Sequence, residues 1–197
     1  MIKRLFDLFF SFLGIIFLSP VLLLVSCLVK LDSNGPIFFL QERVGLNGKV
    51  FLIHKFRTMH VFSEQKGSLT VGQDVRITQI GRFLRKYKID ELPQLLDVFN
   101  GKMSFVGPRP EIQEFIDIYT LNVKNKVLSV KPGITDMASI EMVDENDILG
   151  KFEDPKQAYI NIILPIKQRH YLYYVDNQSI WFDFKIIILT IFKIIKI

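Results

Sequence analysis

The stretch that most restricts this chain is the run from Leu5 to Val29. Nearly every residue in it is apolar, and Asp7, Ser11, Ser19 and Ser26 are the polar exceptions. The hydrocarbon core of a bilayer takes about 20 apolar helical residues, so the run is long enough to span one. A signal peptide fits less well, because the run is too long and no small-x-small cleavage site follows it before the folded region. Two features complicate a plain span. Ser19-Pro20 falls in the middle, where proline interrupts the hydrogen-bond ladder and serine can bond back to a freed carbonyl. Both flanks are basic, with Lys3 and Arg4 before and Lys30 after, and positive flanks favour the cytoplasmic side. A helix bent at Ser19-Pro20 that enters and leaves by one face satisfies both features. An ordinary kinked transmembrane helix is the alternative.

The rest of the chain is compatible with a membrane surface. At 197 residues it is one domain with an appendage, large enough to bury a core. It is 49% hydrophobic with a net charge of +5, and its mean hydropathy is +0.27. An apolar yet basic chain suits an anionic membrane. No helix-turn-helix, zinc or RNA-binding signature points to nucleic acid. Cys27 is the one cysteine, so no disulfide or cysteine metal site forms within the chain.

After the apolar run, 32–36 is a turn cluster. Ile37 to Leu40 and Val50 to Ile53 read as strands joined through Asn47-Gly48, a hairpin signal. If the second strand stays extended, Lys55 and Arg57 point the same way, as suits an anionic group; a solvated strand edge is the plainer reading. Residues 61–75, with Gly67 and Gly72, read as a mobile loop. From about Thr78 to Lys88, Ile80, Phe83, Leu84 and Tyr87 keep helical spacing. Arg76 to Lys88 holds five basic residues and no acid, which suits an anion or a membrane surface. Glu111 to Lys126 and Ala158 to Val175 read as helices, the second interrupted by Pro165, and Lys131 to Thr135 as a stiff loop. The acid-rich run 141–157 reads as a solvated excursion and does not match a calcium-binding EF-hand loop. From Ile180 to Ile197 the polar residues Asp183, Lys185, Thr190, Lys193 and Lys196 share half of a helical wheel, the pattern of a helix in the membrane interface. A core-packing amphipathic helix is the alternative.

The chemistry concentrates between Lys88 and Pro110. Asp90 and Glu91 stand before Pro93 and a short helix that Asn100-Gly101 ends. A strand-like run, Met103 to Val106, leads to Gly107-Pro108-Arg109-Pro110, where two prolines stiffen the backbone around one arginine. A carboxylate pair with an aimed arginine nearby suits phosphate chemistry. A capping aspartate beside a surface glutamate is the plain reading. There is no GxxxxGK or GxGxxG loop and no Asp-x-Asp, and His54, His60 and His170 lack zinc-ligand spacing.

Four stretches together resemble the monotopic phosphoglycosyl transferases, the bacterial sugar transferases that initiate surface glycan assembly. They are Ser19-Pro20, Leu40 to Met59, Lys88 to Pro110 and Val130 to Thr135. The resemblance implies transfer of a phospho-sugar from a UDP-sugar to undecaprenyl phosphate, with release of UMP and Mg²⁺ as cofactor. It makes Asp90 the nucleophile that forms an aspartyl phospho-sugar intermediate. Glu91 becomes its dyad partner, handling the acceptor's proton or the metal. Lys55, Arg57, Arg85 and Arg109 match anion-binding positions. Ser19-Pro20 becomes the break that returns the membrane helix to the cytoplasmic leaflet of the inner membrane. The expected architecture is a predominantly helical α+β fold with a small β-hairpin. Its divisions are a re-entrant helix over 1–31, a cytoplasmic catalytic domain over 32–179 and an interfacial amphipathic helix over 180–197. The chain is similar to the minimal catalytic form.

One segment departs from the resemblance. Where many members carry Gly, an aromatic or Leu, then Gln-Val, this chain reads Asp136-Met137-Ala138-Ser139-Ile140-Glu141. That leaves the sugar open. Two rival functions are a non-catalytic protein binding anionic lipid and a nucleotide-sugar diphosphate hydrolase.

Overall fold

The computed structural model describes residues 2–61, 74–142 and 145–196. Most of the loop expected at 61–75 lies outside the described residues, as does Asp144. The first element, α1 (Ile2–Asp32), continues through Ser19-Pro20 without ending there. Proline has no N–H for the carbonyl four residues back, that of Ile16. Ser19 Oγ donates to that carbonyl instead, at 2.8 Å. Ser11 and Ser26 likewise bond back to Leu8 O and Leu22 O. Asp7 is buried, and its Oδ1 accepts from Ser104 Oγ and Phe105 N. Each polar exception in the apolar run therefore has a partner, as an apolar solvent demands.

Both ends of α1 hold the same globular body. Near the start, Lys3 pairs with Asp183 and donates to Val106 O, and Arg4 donates to Val98 O and Phe99 O. Near the end, Val25 and Val29 pack with Phe56 and Leu84, and Lys30 donates to Gly35 O. The middle is bare: Phe17 is 75% exposed, with Leu23 and Leu24 close behind.

The chain then forms an antiparallel hairpin, β1 (Phe38–Val44) with β2 (Val50–Phe56), longer than the sequence suggested. Asn47 and Gly48 both have positive φ, as a turn matching the strand twist requires. The strand end is locked to the exit of α1 by Arg57. Its Nε donates to Pro36 O, its Nη1 to Ser33 Oγ and Asn34 O, and its Nη2 to Val29 O and Ser33 O.

Helix α2 (Gln79–Lys86) starts at Thr78, whose hydroxyl caps Gly81 N. Leu84 is buried, whereas Phe83 and Tyr87 of the same apolar face are exposed. A 3-10 turn (Ile89–Glu91) and α3 (Gln94–Phe99) follow, and Gly101 ends α3 at φ +77°. Next come β3 (Ser104–Val106), α4 (Gln113–Ile116) and α5 (Leu121–Val127), so the helix expected from Glu111 to Lys126 is two. The stiff loop expected at Lys131 to Thr135 becomes β4 (Gly133–Thr135), parallel to β3. The pairing needs glycine, because a Cβ on Gly133 would meet Gly107 N at 2.1 Å.

The acidic run is partly folded, as α6 (Met137–Glu141) and α7 (Glu145–Leu149), because Leu149 is buried and Glu145 pairs with Lys167. After α8 (Pro155–Ala158), a π turn (Tyr159–Ile163) precedes α9 (Leu164–Asn177). That wider turn accommodates Pro165 near the α9 start, so the helical path is not interrupted there. Tyr171 and Tyr174 are core residues, while Tyr173 is exposed. The last helix, α10 (Ile180–Ile195), turns Asp183, Ile186 and Thr190 to the body. Trp181, Phe184, Ile191 and Phe192 face outward. Part of the polar face thus seats the helix, while Lys185, Lys193 and the outward apolar side chains stay exposed.

Arg57→Lys leaves several carbonyls around 29–36 unpaired. We expect it to destabilise the fold by about 2–4 kcal/mol, read as a thermal midpoint lower by roughly 2–4 °C per kcal/mol.

Candidate active site

Two elements carry the site and a third closes it. The hairpin brings Lys55. The run from Asp90 to Asp97 brings the carboxylates and fastens itself to the hairpin: Asp97 accepts His54 N at 2.9 Å, and its other oxygen lies 2.8 Å from His54 Nδ1. Lys55 is the next residue, so this clasp sets its direction. The β3–β4 pair closes the site by launching Gly107-Pro108-Arg109-Pro110. Pro110 O accepts from Arg43 Nη1 of β1 at 3.0 Å, and Val44 N donates to Glu111 O. One hairpin therefore fixes both Lys55 and the arginine loop.

Asp90 and Glu91 stand on the 3-10 turn rather than on α3, since Pro93 begins the next helix. Lys88 makes the corner in the left-handed region, φ +56°. Both carboxylates are buried, at 7% and 8% exposure. Their environments differ. Glu91 Oε1 accepts from Lys55 Nζ at 2.9 Å and pairs with Arg109 Nη2, while Arg109 Nη1 lies 3.3 Å from Oε2. Asp90 Oδ1 is buried without a hydrogen-bond partner.

The charges separate accordingly. Burial raises the Glu91 carboxyl, but Arg109 and Lys55 outweigh it and hold Glu91 well below the usual carboxylate range. At Asp90, burial, reinforced by the Glu91 charge, outweighs Lys55, Arg85 and Lys88 and pushes the carboxyl up. One member of the pair is locked as an anion among cations. The other presents an unsatisfied oxygen, the arrangement expected of a group that reacts.

Lys55, Arg109 and the two carboxylates are brought together. Arg85 lies close enough for its charge to act on Asp90, and its Nε donates to Thr58 Oγ1 at 2.8 Å. Arg57 stands apart, because all five of its donors serve the α1 exit. Three further residues of the site were not singled out by sequence. Gln94 is buried with Nε2 unpartnered, and its adjacency to the carboxylates in the chain was the available signal. Asp136 is buried at the start of α6, bonded to Ser139, and its charge acts on Arg109. Glu111 follows Pro110 and is held by Tyr159 Oη at 2.7 Å, beside Lys167 and Arg43 at 3.8 Å.

A divalent ion fits only in part. Among the described residues no three His, Cys, Asp or Glu side chains cluster as ligands. Asp90 Oδ1 is unpartnered and Glu91 Oε2 is weakly held. Mg²⁺ characteristically takes one or two carboxylates and completes its shell with water and substrate phosphates, so the pair supplies only part of such a shell.

The chain matches the family described as bacterial sugar transferase over residues 1–197. It is 40% identical to a UDP-glucose:undecaprenyl-phosphate glucose-1-phosphate transferase of Klebsiella pneumoniae, over 97% of this chain and 39% of that protein. It is 37% identical to a UDP-N-acetylgalactosamine-undecaprenyl-phosphate N-acetylgalactosaminephosphotransferase of Aeromonas hydrophila, over 99% of this chain and 43% of that protein. It is 39% identical to the sugar transferase EpsL of Bacillus subtilis, over 98% of this chain and 87% of that protein. The chain thus spans about two fifths of the length of the first two relatives and most of the third. On a match that runs from its first residue to its last, the chain belongs to the bacterial sugar transferase family.

Proposed function

We propose that this protein transfers a phospho-sugar from a UDP-sugar to undecaprenyl phosphate and so begins the assembly of a surface glycan. The observation that carries the reading is the unequal pair: Glu91 is clamped by two cations and Asp90 keeps a free buried oxygen. Relatives named for UDP-glucose and UDP-N-acetylgalactosamine and for undecaprenyl phosphate support the donor class and the acceptor.

In the first step Asp90 Oδ1 attacks the sugar-bearing phosphorus. An oxygen–phosphorus bond forms, the bond to the UMP oxygen breaks, and the electron pair leaves with UMP. In the second step an oxygen of the lipid phosphate attacks the acyl phosphate and Asp90 is released. A carboxylate suits this role because its acyl phosphate remains reactive. The developing charge on phosphoryl oxygens needs fixed cations. Lys55 and Arg109 are held for this by Glu91, which keeps them from collapsing onto the nucleophile, and Arg85 approaches from α2. Mg²⁺, held by Asp90 and Glu91, would neutralise diphosphate oxygens. Arg57 serves here as the fastener of the anchor.

The acceptor is a lipid, so the carboxylates must sit at membrane depth. The seat we propose is a re-entrant α1 on the cytoplasmic face of the bacterial inner membrane, with α10 in the interface. Its support is that both ends of α1 bond to one body while its middle is bare. A helix crossing the bilayer would deliver its ends to opposite sides. Helices α10 and α2 also carry exposed apolar side chains, Trp181, Ile191 and Phe192 on one and Phe83 and Tyr87 on the other.

The direct test is UMP release from UDP-glucose, UDP-N-acetylgalactosamine and related donors, with Mg²⁺, with and without undecaprenyl phosphate. Sustained release only with lipid is expected; sustained release without it would mean a hydrolase. Asp90→Asn should abolish turnover and yet raise the thermal midpoint at neutral pH, by roughly 2–4 °C per kcal/mol relieved. The sign follows from the raised Asp90 value. Below its unfolded value the carboxyl is neutral in both states and costs nothing. As pH rises from the unfolded value to the folded one the unfolded state ionises first and stability falls, levelling off once the buried carboxyl is also charged. The gap between wild type and variant should therefore widen with pH. By the same shift, the acid limb of the first-step rate should lie above the ordinary carboxylate range. Finally, with Cys27 replaced by serine, cysteines introduced at Ile2 and Leu31 should both react with an impermeant maleimide in inside-out vesicles and neither in spheroplasts.

A further inference from the structure

Away from the carboxylates, cations gather where α1, the end of α3 and the segment before β4 meet. Arg4 Nη2 and Lys131 Nζ lie 3.2 and 3.5 Å from the point where a side chain on Gly101 would begin. Gly101 has none, and its φ of +77° disfavours one. The two cations are therefore neighbours around a gap. Arg4 spends two donors on Val98 O and Phe99 O, which caps the end of α3 and fixes the guanidinium. Lys131 makes no hydrogen bond or ion pair with any described residue. The nearby Asp7 makes no contact with it, since its hydrogen bonds go to Ser104 and Phe105. Burial and the Arg4 charge lower the Lys131 pKa, with the Asp7 charge opposing them.

The surroundings say what would relieve them. Phe99, whose carbonyl Arg4 holds, and Leu5, next to Arg4 in the chain, are exposed, and Phe12 stacks on Phe99 with ring centroids 6.1 Å apart. Arg4 is also at the start of the apolar helix. Cations bordering bare apolar side chains at the foot of a membrane helix match the layer where lipid phosphates lie.

We infer that Arg4 and Lys131, on either side of Gly101, form a binding site for the phosphate of an anionic phospholipid headgroup, distinct from the Asp90–Glu91 site. This rests on the membrane seat proposed for α1 and not on the transfer reaction. A phosphate there receives charge-assisted hydrogen bonds from both residues and ties the end of α3 to the bilayer.

The test uses the full chain in nanodiscs of phosphatidylcholine with an equal part of phosphatidylglycerol, extracted gently and weighed by native mass spectrometry. Wild type should retain phosphatidylglycerol over phosphatidylcholine by about tenfold, and Lys131→Arg should keep most of that. Lys131→Met and Lys131→Gln should both fall to near parity; two neutral replacements guard against one that folds poorly, and circular dichroism checks each. Equal retention of the two lipids by wild type, or full enrichment in both neutral variants, would overturn the site. Inorganic phosphate stabilising the detergent-solubilised protein as much as short-chain phosphatidylglycerol does would overturn the lipid as its source. Wild type that fails to enter the nanodiscs would overturn the membrane seat as well, while UMP release would still judge the transferase reading separately.

Discussion

The structure depends on the clamp at Glu91. Three elements distant in sequence, β2, the 3-10 turn and the loop after β3, meet through one carboxylate that binds Lys55 and Arg109. A buried charge is tolerated only when paired, and removing a partner from such a group costs about 3–5 kcal/mol. Glu91 thus holds together two cations, Lys55 and Arg109, that would otherwise repel one another. The neighbouring carboxylate is left uncompensated as a result. Asp90 is buried by the same packing but receives no donor at Oδ1.

The scaffold is arranged to keep that asymmetry rigid. The β3–β4 pair brings backbones so close at Gly107 and Gly133 that no Cβ fits. The two flanking prolines then leave Arg109 little backbone freedom. Behind the loop, Glu111, Tyr159, Lys167 and Arg43 form a buried polar group that holds its far end. Each member has a partner, which is the condition for such a network to stiffen rather than weaken a core.

Much of this was legible in the sequence, for identifiable reasons. The apolar run, the Asn47-Gly48 hairpin, the α2 period and the Gly101 helix stop are local signals, and the structure keeps each. Long-range polar contacts leave no such period. Nothing in the extended pattern of Lys55 and Arg57 shows that one serves Glu91 and the other the α1 exit, because residue 57 lies beyond the end of β2. Lys131 to Thr135 resembled a loop because a three-residue strand is too short to alternate. The acidic run resembled solvent-facing chain because its two organising contacts, buried Leu149 and Glu145 with Lys167, involve partners far away.

The apolar helix α1 and the carboxylate site are one mechanical unit. Asp7 bonds Ser104 at the start of β3 and Lys3 bonds Val106 O at its end, so α1 grips the strand that launches the arginine loop. At the other end Arg57 binds the α1 exit immediately after the strand that carries Lys55. Each cation that clamps Glu91 is thus one short strand away from an attachment to α1. The position of α1 is thereby tied to that of both cations. Polar residues in an apolar helix are costly unless satisfied. The partners of Asp7 lie on β3, the strand that launches the arginine loop, which accounts for an aspartate in a run that would otherwise have no use for one.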